Sequence, residues 1–234
     1  MKNGIHAARH MLVFEEDWRR DPSEFEDSIS REFKFPLIAK PVDDGCSSAV
    51  KIIRNVSELH AFAELIFRSS QELVPAAATL LKIKPKEEFP IKNSFLVEEL
   101  IGANGAVRFL EITGGLMTSY NEKGELEYEI FEASEALSEG DVLSLEEKFL
   151  AGQGQNITPA RYDSDPHTNR RISAAVKEEF ENAAKILNIE GYARIDAFVR
   201  IFENGKIEVL VIEVNSLPGM TPATCIFHQA AINH

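Results

Sequence analysis

The 234 residues carry 25 Lys and Arg against 38 Asp and Glu, a formal net charge of −13, in a chain long enough for one large domain or two small ones. That acidic balance argues against a nucleic-acid coat, which shows as a basic one, and two cysteines, Cys46 and Cys225, are too few for a disulfide framework or a paired zinc site. No apolar stretch approaches the roughly 18 to 20 residues of a membrane span, and the N-terminus carries early acids and no apolar run of signal-peptide length, so the expected chain is soluble and cytoplasmic, with no membrane or nucleic-acid partner.

In chain order, residues 10–14 (HMLVF) read as a short strand. Residues 21–33 open on an Asp cap and a Pro at the first helical position and continue as an amphipathic helix. Residues 35–41 (FPLIAKP) are a buried strand stopped by Pro41, 42–49 (VDDGCSSA) a loop of small residues, and 50–54 a returning strand. Residues 57–73 place Leu59, Phe62, Ala63, Ile66 and Phe67 on one side at helical spacing. Residues 94–101 (SFLVEELI) form a strand, and two segments around 107–119 and 125–132 pair antiparallel across NEKGE. A second helix is expected over 174–189, then strands over 192–202 and 206–214 joined by Glu203-Asn204-Gly205. Strands and helices without strict alternation give an α+β chain.

The last two strands form a hairpin, because Asn-Gly between apolar runs accepts the positive φ of a tight turn. With a two-residue turn, Glu203 faces Lys206, Asp196 lies opposite Glu213, and Arg194 lies opposite Asn215, all four on one sheet face. Two carboxylates set opposite each other repel unless a cation joins them. Carboxylate and amide oxygens suit magnesium, whose shell is commonly completed by water and phosphate. A salt-bridge network of Arg194, Asp196 and Glu213 on a solvated face is the equally weighted alternative, since structural ion pairs imitate active sites. The turn that follows, NSLPGMTPAT, contains Gly219, whose backbone N–H is free to serve an oxyanion.

Phosphate would need cations and a loop. Lys40 ends one strand, Lys148 sits in SLEEKFLAGQGQNITPA, and the loop over 43–49 offers backbone N–H groups and the Ser47 hydroxyl. The spacing of a P-loop is absent.

Taken in order, the Lys-Pro strand with its small-residue loop, VEELI, KFLAGQGQNITPA, ARID and EVNSLPGMT resemble the D-alanine:D-alanine ligase family of the ATP-grasp superfamily, collinear from about Phe35 to Ala231. The resemblance implies an ATP-grasp fold of two α+β lobes whose antiparallel sheets enclose the nucleotide, with the smaller lobe in 1–101 and the larger in 102–234. It implies ATP and magnesium, two ions with manganese as a substitute, and a ligase that joins two small acids such as D-alanine through an acyl phosphate in peptidoglycan biosynthesis. By the same resemblance Lys40 and Lys148 contact phosphate, Ser47 lies near the γ-phosphate, Glu98 accepts from the adenine amino group and the Ile101 backbone meets the ring. Asp196, Glu213 and Asn215 hold the metal, Arg194 and the Gly219 N–H stabilise the oxyanion, and Thr224 and Cys225 hold the second substrate's carboxylate. A homodimer is common in the family.

Three departures fall mainly on the substrate side. Cys46 stands where the family has a serine and Phe149 where it has a tyrosine; a thiol is a weak donor and Phe is none. Loss of that tyrosine hydroxyl goes, in the family, with acceptance of a hydroxy acid such as D-lactate. The family's ribose-holding Glu aligns with Gly105, leaving Asn104 and Glu111 as alternatives. The family's N-terminal domain, which helps bind the first substrate, has no counterpart in the matched residues, so the resemblance leaves open whether this chain acts alone. The competing readings are a non-catalytic ATP-binding module, a ligase for another carboxylate and amine, and a structural domain with a residual site.

Overall fold

A computed structural model of the chain describes residues 4–44, 48–85, 87–137, 156–220 and 224–233. The described residues divide into two compact units, one within Ala8–Leu100 and the other within residues 101–137, 156–220 and 224–233 together with residues 4–7.

The first unit contains β1 (His10–Phe14), α1 (Glu15–Arg20), α2 (Pro22–Glu32), β2 (Leu37–Pro41), β3 (Lys51–Ile53), α3 (Val56–Ile66), α4 (Pro75–Leu80) and β4 (Ser94–Glu99). Its antiparallel sheet runs β1-β4-β2-β3. Strict alternation turns Leu37, Ala39, Phe95 and Val97 to one face, where they are buried with Leu59, Phe62 and Ile66 of α3. The expected cap at Asp21 forms, accepting from the Glu24 N–H, and Asn55, not singled out in the sequence, caps α3 in the same way by accepting from the Glu58 N–H. The helix expected over 57–73 ends at Ile66. There the Arg68 guanidinium donates to the carbonyls of Leu65 (2.6 Å) and Phe89 (2.6 Å), and two serines follow, which favour turns over helix.

The second unit contains β5 (Arg108–Tyr120), β6 (Leu126–Ile130), β7 (Ser134–Ala136), β8 (Asn156–Ile157), α5 (Pro166–Ile186), β9 (Tyr192–Ile201), β10 (Ile207–Asn215) and α6 (Cys225–Asn233). The sheet order is β10-β9-β5-β7-β8, with β6 also on β5, antiparallel throughout. One face carries Leu110, Ile112, Leu116, Ile195, Ala197 and Val199, buried with Ile172, Val176 and Phe180 of α5. The opposite face is left to polar and aromatic residues of β5 and β9, and the candidate site is built there. Helix α5 begins eight residues before the expected start. Asp165 accepts from the Thr168 N–H at 2.8 Å and Pro166 takes the first position, the same signature as at Asp21-Pro22, but without an apolar period behind it. No described helix is long and apolar enough to cross a membrane.

Gly114 faces α5. A Cβ there would stand 2.3 Å from Phe180 Cε2, and Phe180 is itself buried against the sheet. Gly114→Ala should therefore overpack the core and cost about 1–3 kcal/mol. The expected result in urea is a lower midpoint with an unchanged slope; an unchanged midpoint would show that α5 yields freely at this point.

Candidate active site

The β9–β10 hairpin places the acids, by a route that differs from the expected one. Its loop has three residues, 203–205: the Gly205 N–H donates to the Phe202 carbonyl (2.9 Å), Gly205 takes φ 81°, and the Phe202 N–H donates to the Lys206 carbonyl (2.9 Å). Ile201 therefore pairs with Ile207, one residue off the register of a two-residue turn, and Glu203 does not face Lys206. Continued unbroken, this register would set Glu213 against Ile195, on the face of Val209 and Val211, which pack into the core. A bulge between Val211 and Glu213 adds one residue to β10. Beyond it Glu213 pairs with Asp196 and Asn215 with Arg194, so the expected cross-strand pairs form after all. A bulge is the ordinary device for re-aiming a side chain beside a site.

On this open face the charges are arranged unequally. Arg194 grips Asp196 with two hydrogen bonds, Nε to Oδ1 at 3.1 Å and Nη2 to Oδ2 at 3.2 Å, and Thr113 on β5 donates its hydroxyl to Asp196 Oδ1 at 2.6 Å. Burial works against the Arg194 charge, but the Asp196 carboxylate, helped by Cys225 and Glu213, outweighs it and raises the arginine further. Glu213 has no salt-bridge partner among the described residues; its Oε1 accepts from Asn215 Nδ2 at 3.1 Å. The cluster thus contains the salt bridge of the alternative reading together with a second acid left to an amide. Cys225, at the start of α6, belongs to the same group: burial pushes its thiol up, with Asp196, against the pull of Arg194 and a hydrogen bond with Thr113.

Among the described residues no three His, Cys, Asp or Glu side chains gather into a metal cage. Asp196 and Glu213 are two acids and Asn215 adds an amide oxygen, so the set is chemically suited to an oxygen-loving cation whose other ligands come from water or phosphate. Sequence reasoning missed the aromatic neighbour. Phe198, two residues beyond Asp196, shares its face by alternation and stacks on Phe109 of β5, with ring centroids 5.0 Å apart.

The remaining predicted residues fall in separate places. Lys40 and Glu98 share the open face of the first unit's sheet, where Lys40 Nζ lies 2.8 Å from Glu98 Oε2 and each side chain is 17% exposed. Ile101 follows β4 at the start of the second unit and is half-buried. Gly219 is exposed, and a Cβ there would make only ordinary contact, 3.5 Å from Thr224 Cγ2, so space alone does not require a glycine. Of the alternatives for ribose, Asn104 lies in a turn with φ 46°, and Glu111 lies on β5 two residues from Thr113 on the same face. Ser47 and Lys148, with Cys46 and Phe149, lie outside the described residues.

Comparison with known proteins agrees on the fold. A family model described as D-ala D-ala ligase C-terminus matches residues 1–79 and 77–233. The chain is 26% identical over 226 residues to a D-alanine–D-alanine ligase of Chlorobaculum tepidum, covering 94% of this chain and 49% of that protein. It is similar to the crystal structure of D-alanyl-alanine synthetase A from Vibrio cholerae, with a TM-score of 0.58 at 19% identity over 99% of this chain and 57% of that one. It is also similar to the biotin carboxylase domain of 2-oxoglutarate carboxylase from Hydrogenobacter thermophilus, solved with MgADP, with a TM-score of 0.53 at 13% identity over 94% of this chain and 38% of that one. The chain spans about half the length of the curated relatives it matches.

Because Lys40 and Glu98 are mostly withdrawn from water, losing one should strand the other. A double-mutant cycle of Lys40→Met and Glu98→Gln, read by urea unfolding, should give a coupling of about 1 kcal/mol; additivity within about 0.3 kcal/mol would mean that the pair contributes nothing beyond its two separate residues.

Proposed function

This chain belongs to the D-ala D-ala ligase C-terminus family and has the ATP-grasp fold, and from that premise we propose that it is the nucleotide-handling part of an ATP-dependent carboxylate–amine ligase. The observation that carries the proposal is the corner of β9 and β10, where a bulge brings Glu213 and Asn215 beside Asp196 and Arg194. An acid without a salt bridge among the described residues, next to a bidentate arginine pair, is an arrangement that a phosphate-bound cation would complete.

In this reading Asp196, Glu213 and Asn215 hold magnesium, which supplies a Lewis acid to offset charge on the transferring phosphoryl group. Lys40, with Lys148 and Ser47, binds the nucleotide phosphates. Glu98 and the Ile101 backbone receive the base, and the Phe109–Phe198 stack offers an apolar platform to a planar ring. A substrate carboxylate attacks the γ-phosphorus, the bond to ADP breaks, and an acyl phosphate forms. The second substrate's amine, its own carboxylate held at Thr224 and Cys225, then attacks the acyl carbon. Arg194, already fixed in place by Asp196, and the Gly219 N–H receive the developing oxyanion, and phosphate departs. The changed pair Cys46 and Phe149 is the reason to test other acids and nucleophiles, hydroxy acids such as D-lactate among them, which as the acceptor would give an ester in place of an amide.

The chain with Mg-ATP and paired D-amino and hydroxy acids, with phosphate release followed directly, should show release that depends on the acid. Nucleotide binding with no release for any pair, with the family's N-terminal domain supplied as well, would favour a binding module instead. Glu213→Gln should weaken MgADP binding roughly tenfold while leaving metal-free ADP binding within about twofold, since each tenfold is about 1.4 kcal/mol of lost charge pairing; an unchanged magnesium dependence would sink the metal assignment.

A further inference from the structure

The ladder of β5 has a gap. Residues 116–120 pair with β6 and residues 111–113 with β7, so among the described residues the stretch around Gly114 and Gly115 lacks a neighbouring strand on that edge. Part of it is closed by the Phe131 N–H, which donates to the Gly115 carbonyl at 3.0 Å. The rest is closed by a side chain. Gln229 of α6 is 0% exposed, and its Oε1 accepts from the Gly115 N–H at 2.8 Å. Its Nε2 donates to the Thr113 carbonyl at 2.8 Å and to Ser134 Oγ at 2.9 Å. The amide acts as a substitute peptide group, taking the N–H of one strand residue and serving the carbonyl of the residue two before it. All of its donor protons and its acceptor are used.

The two strand residues it holds are those facing the site: Thr113 pairs with Asp196 and Gly115 with Arg194. The absence of a Cβ at Gly115 is what admits the helix, since one would lie 2.7 Å from Ile226 Cγ1 and 2.8 Å from Gln229 Oε1. Gln229 is four residues from Cys225, hence on the same helical stripe one turn along. A second amide on that stripe, Asn233, accepts from the Glu132 N–H at 3.1 Å. The helix is therefore pinned against both rotation and sliding, and its pinned face begins at Cys225.

The geometry points to Gln229 as a positioning residue: by filling the gap in β5 it fixes where Thr224 and Cys225 stand relative to Arg194, and so sets affinity for the acceptor acid without touching it. The acceptor half of this statement rests on the ligase reading above; the placement of Cys225 does not. The test uses the whole chain carrying Cys46→Ser, so that iodoacetamide reports on Cys225 alone. Gln229→Met keeps the volume and removes both donors and the acceptor. It should speed alkylation of Cys225 at least tenfold while MgADP affinity stays within about twofold. In phosphate-release assays the acceptor KM should rise roughly tenfold, with the KM for ATP and kcat each within about threefold. An alkylation rate within twofold of the parent, or one that rises only together with loss of MgADP binding, would overturn the positioning role. Gln229→Glu is the second variant and is read if Gln229→Met does not fold. When protonated its carboxyl accepts from Gly115 and donates once, so the ratio of its alkylation rate to the parent's should be near one at acidic pH and climb as the carboxyl ionises; a ratio that ignores pH would overturn the proposal. Failure of MgADP binding in the parent would count against the ligase reading alone, since the alkylation comparison stands without nucleotide.

Discussion

One extra residue in β10 decides what this sheet presents. Alternation along a strand is unforgiving: Val209 and Val211 pack into the core, so Glu213 and Asn215, at the same parity, would follow them inward in a regular ladder. Burying a carboxylate there without a partner would cost several kcal/mol. The bulge resolves the conflict by changing parity once, after the last core valine before it and before the first acid. Val214 then returns to the core while its neighbours on either side turn outward. The core of the second unit and its open polar corner are compatible only because of that step.

The corner in turn shows how charge is distributed when two acids share a face. Asp196 accepts three hydrogen bonds, two from a bidentate arginine and one from a threonine hydroxyl, which fix its orientation and leave acceptor capacity on Oδ2. Among the described residues Glu213 is hydrogen-bonded by the Asn215 amide, with no salt bridge, and it adds to the field that holds the Arg194 charge. Arg194 keeps its charge despite burial, held chiefly by Asp196 with smaller help from Cys225 and Glu213. The arginine is fixed by its paired hydrogen bonds, while the acid beside it keeps acceptor capacity.

Much of this was legible in the residues. Asn204-Gly205 between apolar runs located the hairpin, and simple alternation from Ala193 to Ile201 put Arg194 and Asp196 on the open face. The expected cross-strand pairs nevertheless rested on a turn one residue too short; the bulge compensated, and no propensity in VLVIEV marks where a strand will take up an extra residue. Helix α5 was read late because His167 to Arg171 are polar and carry no period, although the Asp-Pro cap ahead of them was visible. Helix α6 was missed for a related reason: CIFHQAAIN is largely apolar with no clear period, and its position is set by two amides that bond to the backbone of β5 and of the β6–β7 connection, a tertiary fact no local window contains. The Lys40–Glu98 pair was seen as two separate ligands because the residues are 58 positions apart and meet only through the β2–β4 register.

Gly114 and Gly115 are adjacent and point to opposite faces, one under Phe180 and the other under Gln229 and Ile226. At that point the sheet is a single layer of main chain, with a core helix resting on one side and the site helix on the other. Elsewhere side chains act as padding, and a change of shape in the hydrophobic interior is absorbed before it reaches the polar face. Here there is none. A shift of α5 at Phe180 would be transmitted through the backbone of β5 to the two residues that face Arg194 and Asp196, so the thinnest spot in the wall is also the place where interior and surface must change together.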